Sequence, residues 1–133
     1  MRRMAEAATL WLGRHDFSSF RAQGCQAKHP VRTISRFEVS GEDGFVTVRV
    51  EANAFLQHMV RNLVGVLTDI GVGKRPPAWA KEVLDKRDRV YAGVTAKAEG
   101  LYLTAIKYPP EFQIPPPSAF KISLAGYNGS AFD

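Results

Sequence analysis

The sequence is poor in the residues from which most small sites are built. It holds one cysteine, Cys25, and three histidines, His15, His29 and His58. A single thiol excludes an intramolecular disulfide framework and is too few for a cysteine-rich zinc site. A reducing cytoplasm suits such a chain. Nothing has metal-ligand spacing, and no nucleophile elbow or phosphate loop is present, so no metal is expected. Apolar runs are short: none approaches the roughly 20 residues that a membrane span needs, and no membrane partner is expected. Met1-Arg-Arg-Met-Ala-Glu6 is basic but lacks the apolar core and cleavage pattern of a signal peptide. Acidic residues are also in deficit, 13 against 18 basic, for a net charge of +5. Mild basicity serves solubility, or it serves a polyanionic partner, most often nucleic acid.

What is present suffices for one core. A chain of 133 residues with 45% hydrophobic content reads as a single soluble globular domain. Residues 5–12 are helix formers that stop at Gly13, and Asp16 is placed to cap a short turn over Phe17-Ser-Ser-Phe20. His15 beside Asp16 reads as structural rather than as an acid–base pair. Residues 31–40 alternate loosely and 45–52 cleanly, around the turn signal Gly41-Glu-Asp-Gly44, which predicts an antiparallel hairpin. Leu56, Met59, Val60, Leu63, Val64, Leu67 and Ile70 recur at three- and four-residue steps, predicting a helix over about 54–70 that ends at Gly71-Val-Gly73. Pro76-Pro77 opens a second helix to about residue 86, and Lys86-Arg-Asp-Arg89 follows as a charged loop. Residues 101–108 alternate as a third strand, stopped by Pro109-Pro110. Beyond it, residues 111–133 read as an extended, partly mobile, Pro-rich tail. The order β-β-α-α-β predicts an α+β fold with helices on one face of an antiparallel sheet.

Most of the chemical information lies in Phe55-Leu-Gln-His-Met-Val-Arg-Asn-Leu-Val-Gly65. The apolar stripe packs a core, but His58, Arg61, Asn62 and Gly65 share a different face at spacings of three, four and seven. A glycine inside a good helix costs about 1 kcal/mol relative to alanine, which is explained if a backbone or ligand approaches closely there. Arg61, among apolar neighbours, either is partly desolvated and needs an anionic partner or lies exposed in a surface ion pair. Lys74-Arg75 and Lys86-Arg-Asp-Arg89, with Lys81 between them, form a local basic excess whose default is a solvated surface.

Several motifs together resemble one family. Gly13-Arg-His-Asp-Phe-Ser-Ser-Phe-Arg21, Pro30-Val-Arg-Thr-Ile34, Ala54 to Gly65, Arg87-Asp-Arg89, Ala92-Gly93, Thr95-Ala96 and Gly100-Leu-Tyr-Leu103 are similar, in order and spacing, to segments in the C-terminal half of TruA-type tRNA pseudouridine synthases. The resemblance covers about residues 4–117. It implies an enzyme that isomerises uridine to pseudouridine in the tRNA anticodon stem-loop, cutting the base from C1′, rotating it and rejoining it through C5. It further implies a homodimer, two α+β halves around a basic cleft, and no cofactor.

By the same resemblance, residues 1–20 are the remnant of an interdomain connection and 21–110 the C-terminal α+β domain. Arg61 is expected to pair with the family's catalytic aspartate. Leu101, His58 and Asn62 are expected to bind substrate, with Leu101 packing on the target uracil. Lys74, Arg75, Arg87 and Arg89 are expected to contact RNA phosphates. The family's Arg-Thr-Asp-x-Gly-Val-His type motif, which carries the nucleophile, does not occur in these 133 residues. The aspartates present (16, 43, 69, 85, 88 and 133) stand in other contexts, so this chain alone is expected to be inactive and to need the missing N-terminal half.

Overall fold

A computed structural model describes residues 2–22, 24–25, 27–42, 44–103 and 120–123, with backbone alone at 42, 100–103 and 120–123. Among these residues five strands form one antiparallel sheet: β1 (Gly13–Asp16), β2 (Val31–Glu42), β3 (Phe45–Ala52), β4 (Leu101–Leu103) and β5 (Phe120–Ser123), in the order β1-β2-β3-β5-β4. Three α-helices accompany it among the same residues: α1 (Arg2–Ala8), α2 (Met59–Gly71) and α3 (Trp79–Lys86). The α+β class expected from the sequence is the class observed.

The hairpin β2–β3 is the frame. In β3 the even positions Val46, Val48 and Val50 are buried, and they alternate with more exposed neighbours, as a strand covered on one face requires. In β2 the inward positions change parity, from Ile34 to Phe37 and Val39. The cause is a register shift between Ile34 and Arg36. An extra residue in one strand reverses which side the following side chains face, so the alternation in the sequence is loose there and clean in β3.

The covering layer centres on α2, where Met59, Val60, Leu63, Val64, Val66, Leu67 and Ile70 are all buried. α1 packs on α2, α3 and β2. Trp11, fully buried in the turn after α1, donates its Nε1 proton to Ala80 O at 3.1 Å and so joins that turn to α3. Ser19 is also buried; its hydroxyl donates to Val83 O and accepts from Asp88 N.

Where the fold differs from the sequence reading, the causes are contacts between residues distant in sequence. The main helix begins at Met59, not near 54, because residues 54–58 form a loop that ends in a turn at Gln57 and His58, with His58 at φ 61°. Asn53 Oδ1 accepts from Thr33 N and Ala54 N, and Gln57 O accepts from Ala22 N, so partners distant in sequence hold that loop open. Gly13, expected as a helix cap, starts an edge strand that pairs with Val31–Ile34. Asp16 does accept from Ser18 N at 2.9 Å, at the head of a short 3-10 turn over Ser18–Phe20. Within the segment expected as a tail, Phe120–Ser123 inserts as β5 between β3 and β4. The third strand expected over 101–108 is described only for Leu101–Leu103; residues 104–119 and 124–133 lie outside the described residues.

Candidate active-site wall

The face of α2 that carries Arg61, Asn62 and Gly65 is covered by the segment 93–97, which leads through a 3-10 turn (Ala98–Gly100) into β4. Gly65 explains the fit. A Cβ at that position would lie 2.0 Å from Val94 O, so only glycine admits the segment's backbone. The close approach suggested by a glycine inside the helix is a backbone, not a ligand.

Arg61 and Ala96 are joined twice. Arg61 Nε donates to Ala96 O at 2.8 Å, and Ala96 N donates to Arg61 O at 3.1 Å. The side chain is half-buried. Among the described residues no carboxylate pairs with it: the ion pairs there join Arg36 to Glu38 and Glu51, Lys81 to Asp85, and Arg87 to Asp16. Of the two alternatives left open by the sequence, the surface ion pair is not found among those residues. A partly desolvated guanidinium with its inner nitrogen bound to a carbonyl is what stands there.

Asn62 is buried and bound within the fold. It is 1% exposed, its Nδ2 donates to Phe20 O at 2.8 Å, and its Oδ1 accepts from Thr95 Oγ1 at 2.6 Å. A buried amide bound at both ends is a tie between α2, the 3-10 turn at Phe20 and the 93–97 segment, not a free substrate contact. His58 is exposed at the N-terminal edge of α2, and its carbonyl accepts from Asn62 N. Leu101 opens β4, paired with Ile122, directly after the 3-10 turn that follows the segment held to Arg61.

The basic residues divide. Lys74, Arg75 and Arg87 are exposed. Arg75 lies over the Trp79 ring at 5.0 Å, and Arg87 Nε stands 3.9 Å from Asp16 Oδ2. Arg89 does not belong with them. Its Nη1 donates to Gly93 O at 2.8 Å and its Nη2 to Thr95 Oγ1 at 2.6 Å, and burial pulls the guanidinium below its ordinary range. Arg89 is therefore engaged within the fold. Thr95, which links Arg89 to Asn62, is singled out in the sequence only within the Thr95-Ala96 motif and with no site role; a threonine in a loop carries no periodic signal.

Among the described residues no helix is long and apolar enough to cross a membrane. A family model described as tRNA pseudouridine synthase matches residues 7–109. The tRNA pseudouridine synthase A of Nitrosococcus oceani is 51% identical over 113 residues, 85% of this chain and 44% of that protein. Those of Bordetella petrii and Pseudomonas aeruginosa are 53% and 52% identical over 111 and 113 residues, 84% and 85% of this chain and 41% and 40% of their own lengths. The chain thus spans less than half the length of the curated relatives it matches. With the family model covering well over half of its residues, this chain belongs to the tRNA pseudouridine synthase family.

Proposed function

We propose that this chain supplies one wall of a uridine-isomerising active site on tRNA, and that the opposite wall, with the nucleophilic aspartate, comes from the part of the synthase that these 133 residues do not contain. One observation carries the reading. Arg61 is half-buried, its Nε is bound to Ala96 O, and its outer nitrogens have no carboxylate partner among the described residues. A guanidinium held so is ready for an anion that arrives from outside. A cation within about 4–6 Å lowers an aspartate's pKa by roughly one to three, which keeps the nucleophile ionised in a cleft. Leu101, at the start of β4, would form an apolar wall for the extruded uracil, where an apolar neighbour replaces lost base stacking. Exposed Lys74, Arg75 and Arg87 would bear on RNA phosphates, as recognition through backbone and shape requires. The chain needs no metal or cofactor in this scheme, and the working enzyme is a cytoplasmic homodimer.

A second reading has its own observation. Val90 and Val94 are 83% and 82% exposed, with Tyr91 half exposed beside them. Apolar surface of this kind favours a chain that self-associates, or a non-catalytic RNA-binding module that meets another protein there.

Tritium release from C5-labelled tRNA distinguishes these readings. The 133-residue chain alone should release none, and adding the missing half in trans should restore part of the activity. In that mixture Arg61→Ala should lower turnover far more than tRNA binding, by about 3–5 kcal/mol, because removal of one member of a buried pair strands the other charge. Release by the chain alone, or normal turnover by Arg61→Ala, would overturn the assignment.

A further inference from the structure

The hydrogen bonds behind Arg61 form a chain whose direction is fixed. Arginine can only donate, so the contact from Arg89 Nη2 makes Thr95 Oγ1 an acceptor. The single hydroxyl proton of Thr95 must then go to Asn62 Oδ1. That contact orients the amide so that its Nδ2 faces Phe20 O, where the fourth partner lies. No member can reverse without breaking the next bond. The chain is also anchored at both ends: Arg89 Nη1 holds Gly93 O, and Asn62 is buried in α2. Thr95 is the neighbour of Ala96, whose carbonyl and amide make the two bonds to Arg61. On the other side of Thr95, Val94 O is seated against Gly65.

We propose that Thr95, held between Arg89 and Asn62, is the positioning residue for the Arg61 guanidinium. Arginine has four rotatable side-chain bonds, and a free one samples many rotamers. Fixing Ala96 O fixes Nε, which leaves only the outer nitrogens to meet an incoming anion. The threonine hydroxyl determines where Ala96 O stands. It does so without touching Arg61, and it does so only as long as it can accept and donate together. The consequence for catalysis rests on the function proposed above; the geometric claim does not.

Exchange of the Arg61 Nε proton, followed by NMR on the 133-residue chain, tests the geometric claim without catalysis. In the wild type that proton should be resolved and protected. Thr95→Val keeps the side chain's volume but cannot accept or donate. It should move the Arg61 Nε shift towards that of free arginine and speed exchange of that proton by about tenfold more than exchange of the Leu67 and Ile70 amides. Thr95→Ser should restore protection. If Thr95→Val does not fold, Arg89→Met, which removes the donors and keeps an apolar stem, should give the same loss more weakly. An unmoved Arg61 signal in either folded variant overturns the proposal. So does a loss shared equally by Leu67 and Ile70, which would mark general destabilisation. Tritium release by the reconstituted wild type keeps the two ideas apart. If release is absent but the exchange pattern holds, the function falls and the clamp stands; release with an unmoved Arg61 signal gives the converse.

Discussion

Two groups of cations lie close together in this sequence and differ in how they are held. Arg61 and Arg89 are half-buried, and both donate to backbone carbonyls in the segment 93–97. Lys74, Arg75 and Arg87 stand on the surface around α3, where their contacts are a ring face at 5.0 Å and a carboxylate at 3.9 Å. The first group has fixed geometry and little freedom; the second has freedom and little geometry. Stabilising a charge at one point needs the first kind. Attraction to a polyanion whose phosphates extend over many ångströms needs only the second. On this division, substitutions in the seam between α2 and 93–97 should change stability and positioning, whereas substitutions around α3 should change long-range attraction alone.

The largest effect expected on the fold is at Asn62. Asn62→Leu keeps the shape but strands Phe20 O and the Thr95 hydroxyl, at about 1–3 kcal/mol for each buried group left unpaired. Urea unfolding followed by circular dichroism should show a midpoint shift of that size with the m-value unchanged. A shift under about 0.5 kcal/mol would mean that water reaches the seam and that its bonds are not buried in solution.

Gly65→Ala should cost less. Alanine gains about 1 kcal/mol of helix propensity over glycine, and this offsets part of the strain. The new Cβ would meet Val94 O at 2.0 Å, and a backbone atom cannot rotate away, so the segment must lift. Overpacking of this kind costs about 1–3 kcal/mol, leaving a net loss near 1 kcal/mol by the same unfolding measurement. A stabilised Gly65→Ala would show that the segment does not rest on the helix.

These two positions also mark how far the sequence can be read. Gly65 is legible because a glycine inside an otherwise good helix has a cost that calls for a cause. The stripe itself, and the parity of β3, are legible because burial on one face imposes a period. The role of Thr95 and the buried state of Asn62 are not, since a hydrogen bond between residues 33 apart leaves no trace in either neighbourhood. The late start of the helix at Met59 is hidden for the same reason: the bonds that hold the 54–58 loop come from Thr33 and Ala22. Arg89 reads with the surface cations because charge runs are judged by composition, and composition does not record which guanidinium turns inward. The strand over 120–123 lies in a stretch of weak periodicity whose place is set by the edge of β3 that it pairs with.

The smallest effect on stability should come from removing the surface pair Lys74 and Arg75 together. Arg75 gives up its cation–π interaction with Trp79, which at an exposed site is worth about 0.5–1 kcal/mol, and the exposed Lys74 adds little to that. The double variant Lys74→Ala/Arg75→Ala should therefore unfold within about 1 kcal/mol of the wild type. Its tRNA affinity should behave differently. Every cation withdrawn from a phosphate means one fewer counterion released on binding, so the slope of log affinity against log salt should flatten by about 0.7–0.9 per phosphate. Filter retention over a series of salt concentrations reads that slope directly. Asn62→Leu, measured alongside, should leave the slope unchanged while it lowers stability, because a buried amide meets no phosphate. If the double variant instead became unstable and kept its slope, the cations around α3 would be structural, and the contrast between the two groups would collapse.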